Sequence, residues 1–108
     1  MTCRVAIIGL GMVAKLHVQA INSLNGFEVY GLFSRDYLKT QDFAKNFATK
    51  AKTFKKFEDL CGDESIDLVL LLTPPNARFD YVQALAKVGK PVIVEKPLER
   101  NFERSQNI

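Results

Sequence analysis

The chain has 108 residues, room for one domain built on one hydrophobic core. Its 47% apolar and 25% charged residues are ordinary for a globular protein, and its net charge of +3 comes from fifteen Lys and Arg scattered among twelve Asp and Glu. No basic block forms a nucleic-acid footprint, no apolar run approaches the roughly 18 residues of a membrane span, and Cys3 and Cys61 stand in neither a metal-ligand nor a Cys-x-x-Cys spacing. No metal site is therefore expected. The cysteines are read as free, partly buried thiols of a reducing, cytoplasmic compartment.

Taken in order, Arg4 to Ile8 predicts a strand apolar on both faces. Gly9 and Gly11 turn the chain into a helix whose stripe is read as Val13, Leu16, His17, Ala20, Ile21 and Leu24, ended by Asn25-Gly26. Phe27 to Phe33 is the second strand, and Phe43, Ala44, Phe47, Ala48 and Ala51 mark the second helix. Thr53-Phe54 is a short third strand, and Lys56 to Cys61 a brief helix stopped by Gly62. Ile66 to Leu72 is the fourth strand, broken by Thr73-Pro74-Pro75. A helix over Asn76 to Val88 follows, with Phe79, Val82, Leu85 and Ala86 on one side and Gly89 as its cap. Pro91 to Val94 is the fifth strand. This alternation is that of an α/β fold, a Rossmann-type doubly wound parallel sheet. In the last stretch, Leu98 to Ile108, Asn101-Phe102-Glu103-Arg104 reads as the beginning of a helix, and the sixth strand usual in such folds is missing. The expectation is that residues 1–108 form one dinucleotide-binding domain, truncated or cut from a longer protein.

The chemistry is concentrated at the first turn. In Gly9-x-Gly11-x-x-Ala14, Gly9 can make the tight turn, Gly11 lets the backbone approach a pyrophosphate, and Ala14 permits close helix–strand packing. Such a turn between a strand and a helix sets a helix amino end against a phosphate. A tight strand–helix turn without a ligand is the plainer alternative.

The second strand ends in Ser34-Arg35, with Asp36 just beyond and Lys39 one turn on. A carboxylate about 4 Å from a 2′-phosphate is repelled by ~1 kcal/mol in water and ~4 kcal/mol at a protein surface. Ser34 removes that repulsion, and Arg35 and Lys39 add cations, which favours NADP. The alternative makes Asp36 the ribose ligand and NAD the cofactor; in a third reading Asp36 is only a helix cap and Arg35 a solvated charge.

The order V-A-I-I-G-L-G-M-V-A-K-L-H, I-D-L-V-L-L-L-T-P-P and G-K-P-V-I-V-E-K-P-L resembles the amino-terminal domain of the Gfo/Idh/MocA (glucose–fructose oxidoreductase/inositol dehydrogenase) family over nearly the whole chain. The resemblance implies an NAD(P)-dependent oxidoreductase acting on a sugar, polyol or related carbonyl compound. It also implies residue roles. Gly9, Gly11 and the backbone around Leu10, Met12 and Val13 would hold the pyrophosphate. Ser34, Arg35 and Lys39 match NADP-preferring members. Thr73 and Pro74 would line the path from adenosine to nicotinamide, with Glu95 near the nicotinamide riboside. Lys96 would be the catalytic cation beside the nicotinamide and the substrate hydroxyl. His17 fits the pattern in a structural role. Arg78 replaces a histidine common in the family, which alters a contact near the cofactor or only adds surface charge. The family's catalytic histidine belongs to the second domain, so turnover by this chain alone is not expected. The alternative is a non-catalytic NAD(P)-sensing or interaction domain, with homo-oligomers forming through an unfinished sheet edge.

Overall fold

The computed structural model describes residues 2–73 and 75–94. Among the described residues there are five strands, β1 (Cys3–Ile8), β2 (Phe27–Phe33), β3 (Lys52–Phe54), β4 (Leu68–Leu71) and β5 (Val92–Val94). Between them lie helices α1 (Met12–Asn22), α2 (Tyr37–Phe47), α3 (Phe57–Cys61) and α4 (Pro75–Lys87). The strands form a single sheet in the order β3-β2-β1-β4-β5. Every neighbouring pair is parallel. This is the doubly wound α/β arrangement that the sequence predicts.

Side chains of β1 alternate between the two layers. Val5 and Ile7 pack with Ala14 and Val18 of α1 and Phe43 and Ala44 of α2. Ala6 and Ile8 pack on the opposite face with Leu60 of α3 and Leu85 of α4. That second layer carries an aromatic cluster in which Phe57 lies 5.9 Å from Phe33 and 4.8 Å from Tyr81 between ring centroids. Gly31 is fitted to the same layer: a Cβ there would sit 2.7 Å from Phe54 Cε2, so only glycine admits the Phe54 ring.

Several helix faces differ from the sequence reading. Leu16 and Leu24 are exposed, and Ala14 and Val18 are the fully buried positions of α1. The expected stripe followed the larger side chains, whereas the helix presses its small residues against the sheet, where the backbones approach most closely. Phe79 of α4 is likewise exposed, and Tyr81 takes the inward position. The second helix begins earlier than its apolar stripe, because Asp36 caps it by accepting from the Lys39 N–H at 3.2 Å. Ile66 lies outside β4, its N–H donating to the Asp63 carbonyl at 3.2 Å.

Asp63 ties the sheet edge together. Its carboxylate accepts from Tyr30 Oη at 2.9 Å, Lys52 Nζ at 3.3 Å and the Ser65 N–H at 2.9 Å. Burial pushes this carboxyl up, but the Ser65 N–H, the Tyr30 hydroxyl and the Lys52 ammonium outweigh it and hold it below the ordinary 3.8. A lowered carboxyl pKa contributes stability above pH 3.8 that is lost as pH falls through the folded value. Asp63→Asn is therefore expected to lower stability by about 1–3 kcal/mol at pH 7. In thermal melts followed across pH, the gap to the parent chain should close in acid.

Candidate dinucleotide site at the strand ends

The carboxyl ends of all five strands lie in register: Phe54 pairs with Phe33, Phe33 with Ile8, Ile8 with Leu71, and Leu71 with Val94. The chain leaves β1 towards β2 on one side and later enters β4 on the other. The edge between β1 and β4 is thus the switch point where ligands of such sheets bind. The glycine turn follows β1 at this place, and Thr73 follows β4.

The two glycines of the turn serve different needs. Gly9 is held by its N–H donating to the Phe33 carbonyl at 3.0 Å, and its φ is +97°. A Cβ at Gly9 would meet the backbone of Leu72 and Thr73 at 3.1 Å, so the fold itself demands glycine here. Gly11 has φ −84° and ψ −165°, a conformation open to any residue, and a Cβ there would meet nothing within 4 Å. Among the described residues, no neighbouring atom accounts for its missing side chain.

Leu10 is buried in the first core layer and pins the turn. Ala14 is completely buried, and its N–H donates to the Gly11 carbonyl at 3.1 Å. Gly11 is the N-cap of α1 and supplies no side-chain cap, and the first turn holds no acidic residue. The N–H groups of Met12 and Val13 precede the first intrahelical partner and are available to an anion. Across the switch point, Thr73 Oγ1 is buried without a hydrogen-bond partner among the described residues. A buried orphan hydroxyl beside an open glycine cradle and an uncapped helix end fits a bound phosphate-bearing group.

At the end of β2, Ser34 is half-buried and Arg35 is exposed. Lys39 stands in the first turn of α2, its N–H engaged by Asp36. Asp36 caps α2 through its side chain. Arg78 is more than surface charge: its Nη2 donates to the Thr73 carbonyl at 3.0 Å and holds the loop after β4. His17 is half-buried along α1. Pro74, Glu95 and Lys96 lie outside the described residues. The spacing of the sequence pointed to Gly9, Gly11 and Ser34 but not to Thr40, which packs beside Ser34 with no exposed surface.

A second concavity, about 760 Å³, lies along β3 and is lined by Tyr30, Tyr37, Lys52, Lys55 and Asp63 among others. None of its lining residues belongs to the glycine turn, and the Asp63 carboxylate within it is already engaged by Tyr30, Lys52 and Ser65. Among the described residues, no three His, Cys, Asp or Glu side chains gather as metal ligands. No helix among them is long and apolar enough to cross a membrane. Cys3 and Cys61 are free thiols of intermediate exposure.

Residues 3–108 match the family described as "Oxidoreductase family, NAD-binding Rossmann fold". An uncharacterized oxidoreductase of Schizosaccharomyces pombe is 30% identical over 107 residues, covering 97% of this chain and 29% of the relative. The D-xylose 1-dehydrogenase [NADP(+)] of Haloarcula marismortui is 30% identical over 108 residues, covering 97% of this chain and 30% of the relative. A crystal structure of myo-inositol dehydrogenase from Lactobacillus casei, in complex with NAD(H) and myo-inositol, superposes with a TM-score of 0.82 at 26% identity, covering 99% of this chain and 32% of that one. The chain thus spans about three-tenths of the length of these relatives.

Proposed function

Because the chain belongs to the Gfo/Idh/MocA oxidoreductase family, with its NAD-binding Rossmann fold, we propose that residues 1–108 are the dinucleotide-holding domain of an NAD(P)-dependent oxidoreductase. Its reaction is hydride transfer to or from a sugar, polyol or related carbonyl compound. The observation that carries this reading is the space at Gly11, which no atom of the described residues fills, at the uncapped end of α1. Two relatives whose names specify a polyol or sugar and a nicotinamide cofactor support the substrate class.

The nicotinamide supplies the hydride acceptor or donor; the protein's own groups bind and orient it. The amides of Gly11, Met12 and Val13 hold the pyrophosphate, with Gly9 and Leu10 fixing the turn. By the family resemblance, Thr73 and Pro74 would line the path towards the nicotinamide, and Glu95 would serve its riboside. Lys96 is the cation that favours a developing alkoxide on the substrate.

Ser34, Arg35 and Lys39 favour NADP over NAD on charge grounds. Asp36 supports this, since its carboxylate is turned into the α2 cap. Titration of nicotinamide fluorescence at low salt tests the reading. NADPH is expected to bind more tightly than NADH. Tighter binding of NADH would overturn the NADP assignment, and binding of neither would overturn the dinucleotide reading. The free thiols at Cys3 and Cys61 fit a reducing, cytoplasmic compartment.

A further inference from the structure

The loop between β2 and α2 contains more hydroxyl contacts than it has hydroxyl hydrogens. Thr40 Oγ1 lies 2.7 Å from Ser34 Oγ, and either can be the donor. Thr40 Oγ1 is also placed to donate to the Asp36 carbonyl at 3.1 Å, and Ser34 Oγ to the same carbonyl at 2.9 Å. Two hydroxyls carry one hydrogen each, so the three contacts cannot all be made at once. Two oxygens 2.7 Å apart must share a hydrogen, because facing lone pairs at that distance repel.

Two arrangements follow. If Thr40 donates to the Asp36 carbonyl, Ser34 must donate to Thr40 and shows only lone pairs to its open side. If Thr40 donates to Ser34, the Ser34 hydrogen is released. The Asp36 carbonyl does not require it, because the Thr40 N–H already donates there at 3.0 Å. Ser34 can then donate outward. Thr40 has no exposed surface, so it meets no ligand and acts only through Ser34.

We propose that Thr40 is a positioning residue that sets whether Ser34 donates or accepts at the dinucleotide's 2′ position. This rests on the dinucleotide reading of the site. A phosphate oxygen only accepts hydrogen bonds, whereas a ribose 2′-hydroxyl can also donate. The Thr40 hydroxyl therefore makes Ser34 usable by the 2′-phosphate, and Ser34 receiving a hydrogen bond from Thr40 is also the stronger donor. Arg35 and Lys39 supply charge in either case.

Thr40→Val keeps the buried shape and removes the hydroxyl. Without a hydrogen bond from Thr40, the Ser34 hydroxyl is the weaker donor, and the Asp36 carbonyl 2.9 Å away competes for its one hydrogen. The expected result is an NADPH Kd raised about tenfold, the loss of one hydrogen bond to a charged group, with NADH changed less than about twofold. Thr40→Ser should restore NADPH affinity. In a Ser34→Ala background, Thr40→Val should add no further loss. Thr40→Ala makes the same test should Thr40→Val fail to fold. Equal weakening of both cofactors, no change in either, or additivity with Ser34→Ala would overturn the proposal. Failure of the parent chain to bind either cofactor would instead bring down the dinucleotide reading, and this one with it.

Discussion

Gly9→Ala is expected to destabilise the chain by about 2–5 kcal/mol. The new Cβ has to be accommodated at φ +97°, a conformation that costs an L-residue roughly 1–2 kcal/mol. It must also enter a space bounded at 3.1 Å by the Leu72 and Thr73 backbone, which cannot swing aside as the end of a flexible side chain can. Overpacking of that kind costs about 1–3 kcal/mol more. A chain of this size has about 5–15 kcal/mol in total, so the melting temperature should fall by at least about 10 °C. Gly11→Ala is the comparison, because that Cβ meets nothing within 4 Å and the backbone is unstrained. Its cost should stay within about 1 kcal/mol, the scale of a changed N-cap. Urea unfolding of the two variants measures the difference. Equal losses would show that the glycines do not divide their roles in this way.

Gly11→Val is expected to reverse the pattern, with stability nearly intact and dinucleotide affinity lost. Valine suits the extended φ −84° and ψ −165° of this position. Its two methyl groups occupy the space against the amide groups of Met12 and Val13. A pyrophosphate forced back from those amides loses close contact with the helix end. The steric cost of about 1–3 kcal/mol translates into roughly ten- to hundredfold weaker binding. Fluorescence titration of NADPH against the parent and variant chains measures this, with a melt to show that the variant is folded. A variant that binds as well as its parent would remove Gly11 from the site.

Most of what positions the site is written locally. The apolar run before Gly9, the two glycines and Ala14 name a strand, a turn and a close-packed helix within a dozen residues, and each takes its expected place. Phe27–Phe33 is a strand at the expected bounds. The helix faces are less legible. Periodicity favours large side chains such as Leu16, but which side of α1 meets the sheet depends on how near the helix lies, and closeness selects Ala14. Gly31 carries no local signal at all, since its reason is a ring 23 positions away in sequence, at Phe54. The Ser34–Thr40 pair escapes for a similar reason. A hydroxyl on the first buried turn of α2 looks like ordinary packing until the loop folds back to place it 2.7 Å from Ser34. The roles proposed for Glu95 and Lys96 rest on family resemblance alone.

The most direct test of the central claim is to follow the backbone amides of the chain by NMR as NADPH is added. Binding at the switch point predicts that the amides of Gly9, Gly11 and Val13 shift first and furthest, with Ser34, Arg35 and Thr73 following. Lys52, Asp63 and Ser65, along the β3 cleft, should stay in place. Shifts confined to that cleft, or no shifts at millimolar NADPH, would contradict the account.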